Sequence, residues 1–255
     1  MIKNCIIYKY GDEFINKWKI AKNSITKSSL ESCLKTAEGF TNKRIEALIE
    51  LAKNEKLLIE EETQKHHEFT TSCEFRVPKL LASGISPFVP VNFKIWLRKD
   101  SSIVVTFDAG RRLSGVGTTL LSYATTGDPS SIKHIRLEKD AFLRLKDWIL
   151  SDEEGQIKRI TMHNIEKDEV KFKQIVLSSN QLESSSLFND LLNKASAIAN
   201  LSFTSPLLET TNRPLSCRVN YWGGLTIYTP NLLDSELSEL IEVLEKLIVS
   251  DKNEK

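Results

Sequence analysis

The stretch SSLESCLKTAEGFTNKRIEALIELAKNEKLLIE, residues 28–60, carries the strongest local structural signal in the chain. Ser28 and Ser29 offer hydroxyl caps, after which apolar residues recur at helical spacing at Leu30, Cys33, Leu34 and Ala37. Gly39 follows, where a short helix can end in a left-handed residue at little steric cost. Thr41 can cap a second helix, whose apolar stripe is Ile45, Leu48, Ile49 and Ala52. The stretch therefore predicts two helices joined by a tight turn.

The residues after the second helix predict a β-ribbon. Leu57 and Ile59 alternate with polar neighbours, and Phe69, Thr71, Cys73 and Phe75 would share one face of a return strand. Together the helices, the turn and the ribbon resemble the winged helix-turn-helix DNA-binding domain. That resemblance implies that the second helix enters the major groove and uses its N-terminal residues on base edges. The DNA-binding residues implied are Thr41, Asn42, Lys43 and Arg44, with Lys65 at the exposed ribbon tip of residues 63–67.

A second interpretation of the same stretch is a protein-binding module. Winged helices also join proteins, and this one carries carboxylates that would repel phosphate, at Glu46, Glu50, Glu60, Glu61 and Glu62. A protein–protein adaptor or assembly subunit therefore stays open as the alternative to DNA binding.

Length and composition indicate a globular intracellular protein of one or two domains. The chain has 255 residues, of which 40% are hydrophobic and 27% charged, and its formal net charge is +1. Any phosphate binding must therefore come from a local basic patch. No run of 18 apolar residues is present, and the N-terminus lacks the pattern of a secretory signal. The four cysteines have no metal-binding spacing, so the sequence predicts no metal site.

The fold class predicted is α+β, with an N-terminal winged helix followed by an antiparallel sheet domain carrying helices on one face. A strand over residues 3–8 and a helix over 12–23 precede the winged-helix residues. The domains predicted are a winged helix over 1–77, a linker over 78–91 and a sheet domain over 92–250, which could divide into 92–151 and 152–250. Within the sheet domain, strands are expected at 92–98, 103–107, 118–124, 132–137, 158–164, 170–177, 216–222 and 225–228. Helices are expected at 139–150, 182–200 and from about 234 to 248.

The segment from Ile132 to Ile149, IKHIRLEKDAFLRLKDWI, resembles the last strand and helix of the PC4 and Whirly group. That resemblance, over residues 92–151, implies single-stranded-DNA binding on a curved antiparallel sheet. By strand parity, the face opposite the helices would carry basic and aromatic side chains. Its binding residues would include Lys94, Trp96, Arg98, Arg136, Arg218 and Trp222, beside Thr106, His134, Arg159, Thr161, His163, Lys171, Lys173, Asn220 and Tyr228. Cations that track phosphates and rings that stack on bases are what a single-strand platform needs. The alternatives are an ordinary solvated face or a face closed by a second subunit.

Two further patterns point to phosphate or metal chemistry. Arg111 and Arg112 lie beside glycines in a predicted bend and could hold a phosphate. Glu169-Val-Lys171, with Asp152 upstream, resembles the acidic residue and lysine arrangement of metal-dependent nucleases, in which such groups hold Mg²⁺. His66 and His67 have no identifiable third ligand for a metal.

The sequence therefore predicts a non-enzymatic nucleic-acid-binding protein that takes no cofactor and has DNA, double- or single-stranded, as its main partner. No nucleophile elbow, paired catalytic carboxylates or dinucleotide fingerprint is present. The leucine-rich last helix and the broad sheet also suggest a homodimer. The alternatives are the protein adaptor and the Mg²⁺-dependent nuclease.

Overall fold

A computed structural model describes most of the chain as two compact units. The N-terminal unit spans residues 5–134, and the C-terminal unit spans residues 135–255 together with residues 1–4. The observed division therefore falls inside the sheet domain predicted over 92–250. The described residues are 3–25, 52–62, 66–76, 88–99, 101–107, 111–128, 130–167 and 169–249.

The N-terminal unit is built on antiparallel strands in the order β2-β3-β4-β5-β1. The short strand β6 also pairs with β1, between Tyr8 and Tyr10. The described elements are β1 (Lys3–Tyr10), α1 (Asp12–Ile25), β2 (Ala52–Glu62), β3 (His66–Arg76), β4 (Phe88–Arg98), β5 (Ile103–Phe107), α2 (Arg111–Thr126) and β6 (Ile132–His134).

Helices α1 and α2 pack against each other, and their contacts with β1 lie on one face of this sheet. Phe14 of α1 contacts the ring of Tyr10, and the stacked rings of Phe14 and Trp18 are both buried. On α2, the Ser114 hydroxyl shares a 2.5 Å hydrogen bond with the Tyr8 phenol and another with the Thr106 hydroxyl. All three of these groups are buried, so the polar network is satisfied internally.

The prediction of a glycine bend and a strand over residues 118–124 is wrong, because these residues belong to helix α2. The buried residues recur at helical spacing but, apart from Leu121, are small and hydroxylated: Ser114, Thr118, Ser122 and Thr125. Three threonine hydroxyls return their hydrogen bonds to carbonyls of the preceding turn, at distances of 2.7–3.0 Å for Thr118, Thr119 and Thr125. A hydroxyl that bonds its own backbone can be buried at little cost, so this stripe functions as a core face.

Most of the predicted winged helix lies outside the described residues. The two predicted helices are not described, except that Ala52 and Lys53, expected in the second helix, belong to β2. The predicted ribbon strands are present: β2 and β3 pair antiparallel, with Leu57 opposite Thr71 and Ile59 opposite Phe69. β3 also pairs with β4 along its whole length, and residues 88–91 of the predicted linker begin β4.

The C-terminal unit contains antiparallel strands in the order β11-β10-β9-β7-β8. The hairpins predicted over 158–177 and 216–228 are confirmed, and Gly223 makes the second turn with a φ of +72°. The described elements are α3 (Lys139–Ile149), β7 (Gln156–Lys167), β8 (Val170–Ser178), α4 (Ser186–Lys194), β9 (Ala195–Thr204), β10 (Ser216–Asn220), β11 (Gly224–Ile227) and α5 (Asp234–Val249).

The core of this unit lies between the sheet and its helices. Helix α3 packs on β9, β7 and α5, while α4 packs on β7. The inward side chains are apolar and nearly inaccessible, among them Phe142, Ile157, Ile160, Met162, Phe188, Leu201, Phe203, Val219 and Ile227. The leucines of α5 that suggested a dimer surface, Leu237, Leu240 and Leu244, are buried within the unit.

The predicted helix over residues 182–200 is wrong in its second half. Ser185 caps α4 by accepting a hydrogen bond from the Phe188 amide, but α4 ends at Lys194. Residues 195–204 form β9, which lies between β7 and β10. The pairing of β7 with β9 is irregular, and the buried residues Ile198, Leu201 and Phe203 therefore do not follow an unbroken period of two. The three-residue step from Ile198 to Leu201 resembles the spacing of an apolar stripe on a helix.

The fold class is α+β with antiparallel sheet pairing, as predicted. Among the residues that the structure describes, no helix is long and apolar enough to cross a membrane.

Candidate nucleic-acid interface

The C-terminal unit carries a continuous polar surface on the sheet face opposite its core. Cross-strand register places Arg159, Ser202 and Arg218 in one row, and Thr161, Asn200 and Asn220 in the next. Residues directly opposite each other in antiparallel strands point to the same side of the sheet. We call this surface the polar face; its residues are Arg159, Thr161, His163, Asn200, Ser202, Arg218, Asn220 and Thr226.

Strand alternation creates the polar face. In β10 the buried Cys217 and Val219 flank the exposed Arg218, and in β9 the buried Leu201 and Phe203 flank Ser202. The hydrophobic core therefore fixes which side chains point outward, since a one-residue slip in register would bury the arginines.

Both arginines of the polar face are exposed to solvent. The Arg218 Nη2 donates to Asn200 Oδ1 at 3.0 Å, which orients the guanidinium along the sheet. Within the described part of the chain, neither Arg159 nor Arg218 forms an ion pair. Their positive charge is therefore available to an external anion.

The polar face contains no carboxylate among its eight residues as defined above. The one acidic residue of β7, Glu166, is opposite Lys171 of β8 and pairs with it at 3.7 Å, away from Arg159 in the register. A surface with two arginines, a histidine, amides and hydroxyls offers many hydrogen-bond donors and attracts anions.

Arg136 and Trp222 form a second cationic and aromatic pair, next to the β10–β11 turn. The Arg136 guanidinium carbon lies 6.0 Å from the Trp222 ring centroid. The Tyr221 and Trp222 ring centroids are 4.1 Å apart, and the two ring planes are inclined at 37° to each other. Asn220 Oδ1 accepts hydrogen bonds from the amides of Trp222 and Gly224, each at 3.0 Å, and thereby fixes the turn. A guanidinium beside an indole is a cation–π arrangement.

The predicted residues Lys94, Trp96 and Arg98 do lie together, but not on an exposed basic face. Trp96 and Arg98 are only 4% and 7% exposed, so the prediction that they line an open surface is wrong. Trp96 stacks on His66 at 4.1 Å and contacts Phe107 edge-on at 4.5 Å. A tryptophan enclosed in this way cannot also stack on a base.

Glu68 offsets the charge of Lys94, the exposed lysine of this cluster. It accepts hydrogen bonds from Lys94 Nζ at 2.5 Å and from Trp96 Nε1 at 2.8 Å. Burial alone would raise the pKa of the Glu68 carboxyl, but these bonds outweigh it and the pKa is lowered. The carboxylate therefore stays charged and offsets Lys94, which makes the cluster a poor phosphate site.

Thr106 and His134 were also expected on the open face, and this expectation is wrong. Thr106 is fully buried beneath α2 through its bond to Ser114, and the His134 ring lies 4.6 Å from the Tyr8 ring. Lys171 and Lys173 alternate with residues that share the side of Arg159, so they do not belong to the polar face either.

Other predicted binding residues lie outside the described part of the chain or lack a described side chain. Thr41, Asn42, Lys43, Arg44 and Lys65 belong to the undescribed segments. Arg111 and Arg112 begin α2 rather than a glycine bend, and only their backbone is described.

The metal-dependent nuclease arrangement is contradicted by the positions of its residues. Glu169 lies in the β7–β8 turn with a φ of +65°, whereas Asp152 precedes β7 at its other end. The twelve residues of β7, about 40 Å at roughly 3.3 Å per residue, lie between the two ends at which these residues are placed. No group of three potential metal ligands occurs among the described residues.

Sequence reasoning missed Asn200, Ser202 and Thr226 as members of the polar face. The first two belong to β9, which was interpreted as helix, so strand parity was not applied to them. Recognising the alternation of Leu201 and Phe203 with Ser202 and Thr204 would have found them.

Comparison with known proteins leaves the chain without an assigned family. No protein-family model matches it, and no curated protein matches it.

Proposed function

We propose that this protein binds single-stranded nucleic acid through the polar face of its C-terminal unit. The observation that carries the proposal is the row Arg159–Ser202–Arg218, two exposed guanidinium groups on a face without a carboxylate. Arginine suits phosphate because its planar fork can donate two parallel hydrogen bonds.

The spacing of the row fits a backbone track. Two strand intervals separate the Cα atoms of Arg159 and Arg218 by about 10 Å. Ser202, Asn200 and Asn220 supply neutral donors and acceptors between and beside the guanidinium groups. A flexible strand can therefore contact both cations, whereas its bases meet amides and hydroxyls that favour no single base.

Trp222 supplies the stacking surface that this mode of binding needs. Unlike the enclosed Trp96, the Trp222 ring is only half-buried, with Tyr221 and Arg136 as neighbours, and the hydrogen bonds of Asn220 hold the turn that presents it. Aromatic stacking contributes about 1–3 kcal/mol per base and is insensitive to sequence.

The arginine row is tested by the double variant Arg159→Ala/Arg218→Ala. We expect affinity for a fluorescent oligothymidylate to fall about tenfold or more at roughly 50 mM salt, with the salt slope smaller by about 1.4 because two phosphate contacts are lost. Fluorescence anisotropy across a salt series measures both quantities.

The matched control is Lys17→Ala/Lys246→Ala, which also removes two positive charges. Lys17 lies on α1 of the N-terminal unit and Lys246 on α5 of the C-terminal unit, and each forms an ion pair within its own helix. If the control lost as much affinity as the arginine variant, the loss would be due to net charge alone. Salt-independent binding by the parent chain would refute the proposal.

Replacing Trp222 tests the stacking step separately. We expect Trp222→Leu to weaken single-strand binding about fivefold or more without changing the salt slope, because stacking involves no counterion release. Trp222→Phe retains a ring and should recover most of the affinity. A leucine variant that binds like the parent would remove Trp222 from the interface.

The winged-helix hypothesis extends the proposal to duplex DNA. It rests on the sequence resemblance of residues 28–75, with Lys43 and Arg44 as the cations expected in the major groove. We expect Lys43→Ala/Arg44→Ala to reduce duplex binding while leaving single-strand binding intact. Comparing the two probes on one variant separates this contact from the polar face.

A further inference from the structure

The strand β8 is the outer strand of the C-terminal sheet and is exposed on both faces. It pairs with β7 on one side, and no described strand pairs with its other side. Three large apolar side chains of β8 are unusually exposed: Val170 at 52%, Phe172 at 40% and Val176 at 41%. An exposed edge with unpaired backbone groups and apolar side chains is a template for adding another strand.

The sequence of β8, VKFKQIVLS, is complementary to itself when two copies run antiparallel about Gln174. In that register Phe172 of each copy lies opposite Val176 of the other. Lys171 lies opposite Leu177, and no two lysines face each other. A register centred on Lys173 would instead place two lysines directly opposite, which is unfavourable. The register about Gln174 avoids that repulsion and, because Gln174 is the middle residue of β8, pairs all nine residues of the strand.

The lysines of β8 are compatible with pairing about Gln174. Lys171 is already paired with Glu166 across the β7–β8 ladder at 3.7 Å, so part of its charge is balanced within one copy. Lys171 and Lys173 still disfavour uncontrolled pairing, since charged side chains on edge strands oppose non-specific aggregation. The lysines thus oppose the register centred on Lys173 and permit the one centred on Gln174.

We propose that two copies of this chain associate through antiparallel pairing of their β8 strands about Gln174. The interface would consist of backbone hydrogen bonds along β8 and two Phe172–Val176 contacts. Its two-fold axis is normal to the sheet, so the side chains that point to one side in each copy point to the same side in the pair. This association needs no nucleic acid and stands independently of the proposed function.

Sedimentation velocity of the full chain without nucleic acid tests the association. We expect a monomer–dimer equilibrium within concentrations up to about 100 µM, a range that covers small interfaces. Val176→Lys places a charge opposite Phe172 and should raise the dissociation constant about tenfold or more. Leu187→Lys is the matched control, because the Leu187 side chain is exposed on α4, outside β8. This substitution should leave the dissociation constant unchanged.

Disulfide trapping tests the register. Gln174→Cys brings two thiols together at the two-fold axis, with Cα atoms about 5 Å apart, within disulfide range. Lys171→Cys places its thiols six residues out of register, about 20 Å apart. We expect rapid cross-linking above the level of the unaltered chain for Gln174→Cys alone. A monomer at every concentration, an unaffected Val176→Lys dimer, or equal trapping of both cysteine variants would overturn the proposal.

Discussion

Gly155→Ala is expected to destabilise the protein by about 3 kcal/mol, close to the upper end for overpacking a tight site. An added Cβ would overlap the carbonyl oxygen of Ile149 and lie 3.3 Å from that of Asp152. Both obstacles are backbone atoms, which cannot move aside by a change of rotamer. The main chain between α3 and β7 would have to shift instead.

Shifting the main chain at Gly155 would cost free energy, because hydrogen bonds hold this turn. The Gly155 amide donates to the Asp152 carbonyl at 3.1 Å, and the Glu154 amide donates to Asp152 Oδ1 at 2.8 Å. β7 begins at the next residue and carries Arg159, so a shift would also displace one end of the polar face. Urea denaturation followed by circular dichroism measures the change in free energy of unfolding.

Gly11→Ala provides the control for Gly155→Ala. A Cβ at Gly11 would meet no atom within 4 Å, and its backbone is not in the left-handed region. We expect this substitution to leave stability within about 0.5 kcal/mol of the parent, or to raise it slightly by restricting the unfolded chain. If both alanine variants behaved alike, the packing described around Gly155 would be wrong.

Glu236→Gln is expected to cost about 2 kcal/mol at neutral pH, and the cost should disappear in acid. Glu236 is fully buried near the start of α5, where it forms an ion pair with Arg213 and accepts hydrogen bonds from the Leu233 amide at 2.9 Å and the Thr211 hydroxyl at 2.8 Å. The Arg213 hydrogen bonds above all, with the other two donors, lower the pKa of Glu236 from 4.5 to about 2 despite its burial.

The sign of the pH dependence follows from that lowered pKa. The ionised carboxylate is favoured in the folded state, so its stabilisation is fully present above pH 4.5 and is lost as pH falls toward about 2. A shift of this size corresponds to at most about 3 kcal/mol. The stability difference between parent and Glu236→Gln should therefore shrink between these two pH values, as measured by urea denaturation at each pH.

Glu239→Gln is a control on the same helix. Glu239 accepts hydrogen bonds from the Glu209 and Thr210 amides, at 2.7 and 3.1 Å, but in an exposed position. We expect a loss below about 1 kcal/mol. A pH-independent loss in Glu236→Gln would show that its shape, rather than its charge, stabilises the start of α5.

The elements predicted well from sequence are those in which one strong periodicity decides the structure. α5 combines a leucine stripe with an acidic first turn, and the β7–β8 hairpin alternates around a short polar turn. Side-chain periodicity alone is sufficient in such segments because few alternative packings bury the same residues.

The two main errors occurred where composition conflicts with packing. In α2, Gly115 and Gly117 indicated a bend and the threonines indicated a strand, whereas the tertiary structure selects a helix that buries small residues. In β9, Ala195 and Ile198 continued the helical spacing of α4, whereas pairing with two neighbouring strands selects extended structure. Local propensity differences of a few tenths of a kcal/mol per residue are easily exceeded by burial.

The candidate site was predicted only in part, for a related reason. Arg218 was assigned to the correct face because β10 alternates regularly, and Arg159 was assigned to it by the same parity despite the irregular pairing of β7 with β9; Arg136 and Trp222 are close together. Trp96 was misassigned because parity gives the side of a strand but not what covers it. Both sides of β4 are buried at Leu97 and Trp96, and single-strand periodicity contains no information on that second layer.

The hydroxyl stripe of α2 has a consequence for partial unfolding. If α2 separates transiently from the strands beneath it, the buried side chains described on α2 itself are mostly serine and threonine, which water can solvate. Separation of α5 would instead uncover Leu237, Leu240, Ile241 and Leu244, a surface that invites aggregation. Local opening therefore exposes less described apolar side-chain surface on α2 than on α5.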